Sequence, residues 1–219
     1  MTLSDCEEQN KNMKAKADLT RVQTVAPAQL AGTAGHGEIR VAGPVRLARG
    51  RVHEVRGDGA DIFVLTAAAA ATGPLFWIGA AREINTLAPT GLQGFVDPAR
   101  LVLTVGLTRA ETLWAGEQAL RSRAAPCVIV ELQDGPDLKE SRRLQIAAEE
   151  SGAIGLVILH GRAKTSAAET RWTCEAAAGG GWVWICTKAK RGTPGAWRVS
   201  ALGKHHAPDL VPLAASATA

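Results

Sequence analysis

The chain has no tyrosine and only three phenylalanines, so its aromatic content rests on six tryptophans. It has no lysine between Lys16 and Lys139, and arginine carries the positive charge across that whole interval. Its four cysteines, Cys6, Cys127, Cys174 and Cys186, include no CxxC pair, which excludes the paired-cysteine zinc modules and points to reduced thiols rather than a disulfide framework. No GxSxG and no HExxH occurs, which removes two hydrolase signatures. No apolar run approaches the roughly 18 residues of a membrane span, and the first residues are polar and charged, unlike a signal peptide. A cytoplasmic protein without a membrane contact is expected.

What is present is a chain of 219 residues, 46% hydrophobic, with a net charge of +4. That suits one domain with a sizeable core plus tails. The charge permits nucleic-acid contact without requiring it. Residues 1–40 hold few large apolar side chains, and the first twenty-one carry four acids and four bases, so they read as a flexible arm. Residues 203–219 lack periodicity and read as a disordered tail. The folded domain is therefore expected over 41–202.

The organising stretch runs from Gly50 to Gly79. Val52-His-Glu-Val55 is a short strand, Gly57-Asp58-Gly59 a turn, and Ile62–Ala71 a helix with Asp61 placed to cap it. Leu75-Phe-Trp-Ile78 has the fully apolar character of a buried parallel strand. A turn at the carboxyl end of such a strand is the usual phosphate site of an α/β fold. The phosphate chemistry is absent from it. A P-loop, G-x-x-x-x-G-K-[ST], counted from Gly57 puts its second glycine, lysine and hydroxyl on Ile62, Phe63 and Val64. Gly57, Asp58 and Gly59 are thus a vestigial P-loop position, and no cofactor, metal or catalytic residue is expected.

Further strands follow at Leu101–Val105, Ala125–Leu132 and Ala153–Leu159. They alternate with helices at Thr108–Arg121 and Leu138–Ser151, the second ended by Gly152. That alternation predicts right-handed crossovers and a mainly parallel sheet flanked by helices. Glu117 falls in the apolar face of the first of these helices, with Arg142 or Arg143 as its candidate partner. From Thr170 the pattern changes to three alternating segments (Thr170–Cys174, Trp182–Cys186, Ala196–Val199) separated by glycine turns, an antiparallel meander that extends the sheet. Trp77, Trp114 and one of Trp182 or Trp184 are expected in the core, and Trp172 and Trp197 nearer the surface. His53 reads as a structural strand histidine. His160 ends a strand at the edge where sites collect, and His205-His206 has no third ligand nearby. Lys188, Lys190, Arg191 and Arg198 lie in a segment without an acid; with Arg171, and with Arg162 and Lys164, they are the candidate nucleic-acid or partner face.

This order of elements resembles the RecA-type recombinase core. More narrowly it resembles the ImuA family of RecA-related proteins from bacterial damage-inducible mutagenesis cassettes. The phrases that carry the resemblance are GRVHEV at 50–55, GPLFWIG at 73–79, LAPTGLQGFVDPARLVLT at 87–104, ETLWAGEQALRS at 111–122, ESRRLQIAAEESGAIGLVIL at 140–159 and TRWTC at 170–174, within residues 46–200. Set against nucleotide-binding RecA proteins, the place of the water-activating acid falls near Ala81. The place of the magnesium-ordering acid falls on Glu131, isolated in sequence, and that of the γ-phosphate sensor near His160 or Gly161. The first DNA-binding loop shrinks to Gln133–Ser141, and the counterpart of the second is Gly161–Glu169. The resemblance implies a non-enzymatic accessory protein in SOS translesion synthesis. Its implied partners are an inactive Y-family polymerase-like protein and an error-prone C-family polymerase, with RecA and single-stranded DNA as further candidates. A SulA-type cell-division inhibitor and an NTPase with a rebuilt phosphate site are the alternatives.

Overall fold

A computed structural model describes residues 37–200 and 210–213. Its centre is a nine-stranded sheet in the order β11-β10-β9-β8-β3-β7-β6-β4-β5. The strands are β3 (Val52–Arg56), β4 (Leu75–Gly79), β5 (Leu101–Val105), β6 (Cys127–Leu132), β7 (Ile154–Leu159), β8 (Thr170–Ala176), β9 (Trp182–Ala189), β10 (Gly195–Val199) and β11 (Leu210–Pro212). From β8 to β5 every pairing is parallel, and β9, β10 and β11 add on antiparallel. The expected α/β architecture, a mainly parallel sheet flanked by helices with an antiparallel extension, is what the chain adopts.

The apolar strand runs divide their side chains between the two faces. On one face Leu75, Trp77, Cys127, Ile129, Leu156 and Ile158 pack under helix α1 (Ala60–Ala69). On the other Ile78, Val128, Val130, Leu132, Val157 and Leu159 pack under helices α4 (Arg109–Arg121) and α5 (Leu138–Ser151). Helix α1 is apolar almost all round, and a helix of that kind must be covered on every side. Its second cover is an antiparallel hairpin of β1 (Glu38–Ala42) and β2 (Val45–Ala48), whose Ile39, Val41, Val45 and Leu47 are buried in the same cluster as Phe63 and Ala67. The folded body therefore begins before residue 41: residues 38–40 belong to β1 and not to the arm. Likewise Leu210–Pro212, read as tail, pairs with β10. Residues 1–36, 201–209 and 214–219, with Cys6 and His205-His206, lie outside the described residues.

The two long helices have well-marked ends. Thr108 caps α4 and Asp137 caps α5, each in a reciprocal box with the glutamate three residues on, Glu111 and Glu140. Gly152 closes α5 at φ +78°, a left-handed conformation suited to glycine. The polar stretch after β4 is not one loop. It winds into α2 (Ala81–Ile84), α3 (Pro89–Leu92) and a 3₁₀ turn at Pro98–Arg100.

Several tryptophans sit elsewhere than expected. Trp114 is exposed, because α4 turns its small residues to the sheet: a Cβ on Gly116 would meet Val130 Cγ2 at 2.7 Å. Trp172 is fully buried, with its ring 4.9 Å from Phe63 and 5.6 Å from a half-buried Trp197. Trp77 and Trp184 are core, as expected. His53 is a buried structural residue that contacts the Thr170 hydroxyl at 2.8 Å and the Ala48 carbonyl at 3.0 Å, and burial pulls its imidazole down to about 4.

Glu117 is buried at the inner edge of α4. Its carboxylate takes Arg143 at 2.6 Å and, one turn along, Arg121 at 3.3 Å; Arg142 is not its partner. Because Arg143 is more than half exposed, water screens the pair. A double-mutant cycle of Glu117→Gln and Arg143→Ala is expected to return a coupling of about 1 kcal/mol. Additive single effects in urea unfolding would remove the assignment.

Candidate functional site

The glycine turn follows from how far β8 runs. β3 ends at Arg56, opposite Thr173, but β8 continues through Cys174, Glu175 and Ala176 and passes over the turn. The Gly59 N–H donates to the Cys174 carbonyl at 3.0 Å, and the Asp58 carboxylate accepts the Ala176 N–H at 3.0 Å. Gly57 has φ +98°, and a Cβ there would lie 2.1 Å from the Cys174 oxygen. The β8–β9 register sets Trp182 opposite Ala176, and its ring covers Gly59: a Cβ on Gly59 would meet Trp182 Cε3 at 2.6 Å. A phosphate cradle needs free amides and open space at this point. Here the Gly59 amide is bonded to a neighbouring strand and the space is filled by carbonyl and indole. Gly59 itself occupies the N-cap position of α1. Asp61, expected as the cap, lies in the first turn instead, where burial raises its carboxyl and the His160 imidazole partly offsets the rise.

A second feature lies at the carboxyl ends of β4, β5 and β6. A cavity of about 280 Å³ opens there, lined among others by Ala80, Glu83, Gly106, Thr112, Glu131 and Gln133. Glu131 is 5% exposed, and burial, with the neighbouring charges of Asp61 and Glu83 and against a partly offsetting hydrogen bond from the Trp77 indole, pushes its carboxyl up to about 7. Glu83 is 8% exposed and accepts the Gln133 side-chain amide at 2.8 Å as well as Arg82. The sequence put the water-activating acid's place near Ala81 and left it empty. Helix α2 turns Glu83, two residues on, into the same region as Glu131. An acid within a few residues of the Trp77 strand was the available signal. Among the described residues no group of three or more His, Cys, Asp or Glu is arranged to hold a metal ion.

Burial of Glu131 makes stability depend on pH. Below about 4.5 both the folded and the unfolded chain carry it protonated. As pH rises from there to about 7 the unfolded chain loses the proton and the folded chain keeps it, so stability falls. At pH 8 the ionised form in this site costs about 3 kcal/mol. Glu131→Gln is therefore expected to unfold at higher urea than the parent at pH 8 and at a similar concentration near pH 4.5. Parallel pH profiles would contradict this.

The basic residues separate into two groups. Five of the seven hold the chain together. Arg171 reaches the buried Glu54 at 2.6 Å and the Lys164 carbonyl at 2.6 Å. Lys188 donates to the Ser166 carbonyl at 2.8 Å and Lys190 to the Ala167 carbonyl. Arg191 faces Glu169 at 3.7 Å, and Arg198 donates to the Ala178 carbonyl at 2.6 Å. These contacts pin the 162–169 connection and the β8–β9 turn. Arg162 is exposed and Lys164 lines the cavity, and neither side chain makes such a bond among the described residues.

No family model matches the chain. Two curated proteins named "Protein ImuA", from Caulobacter vibrioides strains NA1000 / CB15N and ATCC 19089 / CIP 103742 / CB 15, are each 32% identical to it over 160 residues, covering 62% of this chain. The chain spans 64% of the length of these relatives.

Proposed function

The chain belongs to the ImuA family, and from that premise we propose that it is a non-enzymatic accessory protein of SOS translesion DNA synthesis in the cytoplasm. In this reading it acts with an inactive Y-family polymerase-like protein and an error-prone C-family polymerase, and its RecA-like sheet serves as a platform rather than a motor. Closure of the glycine turn by β8 and Trp182 supports the reading, because the amide that would meet a phosphate is bonded to Cys174. Among the described residues no helix is long and apolar enough to cross a membrane, which is compatible with the location. Of the seven basic candidates, Arg162 and Lys164 are the two whose side chains make no hydrogen bond or ion pair among the described residues, and they are the cations we assign to a contact with single-stranded DNA or RecA.

The test is affinity capture of the tagged chain from DNA-damaged cells, run beside a version ending near Ser200. Recovery of the polymerase-like protein and the polymerase supports the role. Recovery of the tubulin-like division protein in their place contradicts it and favours the SulA-type alternative.

A further inference from the structure

Glu131 and Glu83 both line the cavity at the carboxyl ends of β4, β5 and β6, and both are more than nine-tenths buried. Each has an Oε2 atom, removed from solvent, that accepts no hydrogen bond of ordinary geometry among the described residues; the Trp77 indole N–H, a neutral donor, is the group that acts on the Glu131 carboxylate, and it supplies no charge. The charged groups that act on Glu131 are Asp61 and Glu83, both acids. Two cations also line the cavity. Arg109 is held by the Asp134 carbonyl at 2.8 Å, the Gly135 carbonyl at 3.2 Å and Glu140 at 2.8 Å. Lys164 makes no hydrogen bond to either carboxylate. Buried carboxylate oxygens without a partner are uncommon and costly, and a matching cation relieves that cost.

We propose that this cavity binds an alkylguanidinium group, held between the Glu131 and Glu83 carboxylates. The planar fork of a guanidinium donates along two directions at once, which suits two carboxylates better than a point-like ammonium does. Glu83 already takes the guanidinium of Arg82 on Oε1 and leaves Oε2 open. At about 280 Å³ the cavity lies just below the range of about 300–1,000 Å³ for drug-sized ligands, a volume for one side chain. Two sources share this chemistry: an arginine side chain of another protein, and free arginine. The inference is independent of the accessory role and is decided on the purified chain.

The experiment is calorimetric titration of the full chain at pH 8, where Glu131 is mostly ionised, with ethylguanidinium, propylammonium and L-arginine in parallel. Ethylguanidinium should bind saturably and at least about tenfold tighter than propylammonium. Glu131→Gln and Glu83→Gln should each weaken it by about tenfold or more, while Glu150→Gln, at an exposed position, leaves it unchanged. Near-UV circular dichroism confirms that each variant is folded, and the two independent variants guard against one failing. Equal affinity for L-arginine and ethylguanidinium assigns the site to a protein side chain, and much tighter L-arginine assigns it to the free amino acid. No saturable heat with ethylguanidinium, or unchanged affinity in both glutamine variants, overturns the proposal.

Discussion

Replacing Gly57 with alanine is expected to cost the fold more than about 4 kcal/mol, enough to unfold a typical domain under mild denaturant. Two effects combine. The φ of +98° is one that an L side chain rarely adopts, and the new methyl carbon would lie 2.1 Å from the Cys174 carbonyl oxygen. That oxygen is backbone and already accepts the Gly59 N–H, so it cannot move aside without losing the bond that closes the turn. Gly91→Ala is the control. No atom lies within 4 Å of its Cβ position, and its unfolding free energy should change by less than about 1 kcal/mol. Equal urea midpoints for the two variants would mean that β8 does not lie over the turn.

Arg171→Ala is the second large effect, with an expected loss of about 3–5 kcal/mol. Glu54 is 1% exposed in the middle of β3, and its other carboxylate oxygen has no partner among the described residues. Without Arg171 it loses both of its charge-assisted hydrogen bonds and keeps only the more distant charge of Lys188. The same guanidinium holds the Lys164 carbonyl and the Ser166 hydroxyl, so amide exchange across 162–169 should speed up as well. Removing both charges at once, as Glu54→Leu with Arg171→Leu, should recover most of the loss. If Arg171→Ala unfolds like the parent, this residue belongs to an exposed basic face after all.

That outcome bears on how much was legible in the sequence. The frame from β3 through the turn to β4 was readable because the glycines and the two kinds of apolar run are local signals. Helix α5 is bounded to the residue, since Gly152 ends it and the Gln133-Asp-Gly-Pro136 turn precedes it. The hairpin of β1 and β2 leaves no local signal in the sequence. Its strands are four and five residues long, interrupted by Arg40, Arg46 and a glycine turn, and their apolar character has meaning only once α1 needs a second cover. Trp172 lies in the core rather than near the surface for a related reason. Alternation along β8 separates two faces but does not say which is covered, and coverage comes from Phe63 on a distant helix. The basic residues lie close together in the sequence, yet the partners of five of them are Glu54, carbonyls and an acid of the 162–169 connection, and carbonyls of the β8–β9 turn, which no local pattern reveals. Of the acidic cavity the sequence offered Glu131 alone. Glu83 joins it only because α2 folds a stretch that reads as loop.

The glycine turn between β3 and α1 is shut by the protein's own β8 strand. Amide NMR of the full chain, titrated with magnesium and ATP into the millimolar range, tests it most directly. The account predicts a Gly59 amide protected from exchange and resonances of residues 56–62 that do not move. Saturable shifts confined to those residues, with loss of Gly59 protection, would contradict it.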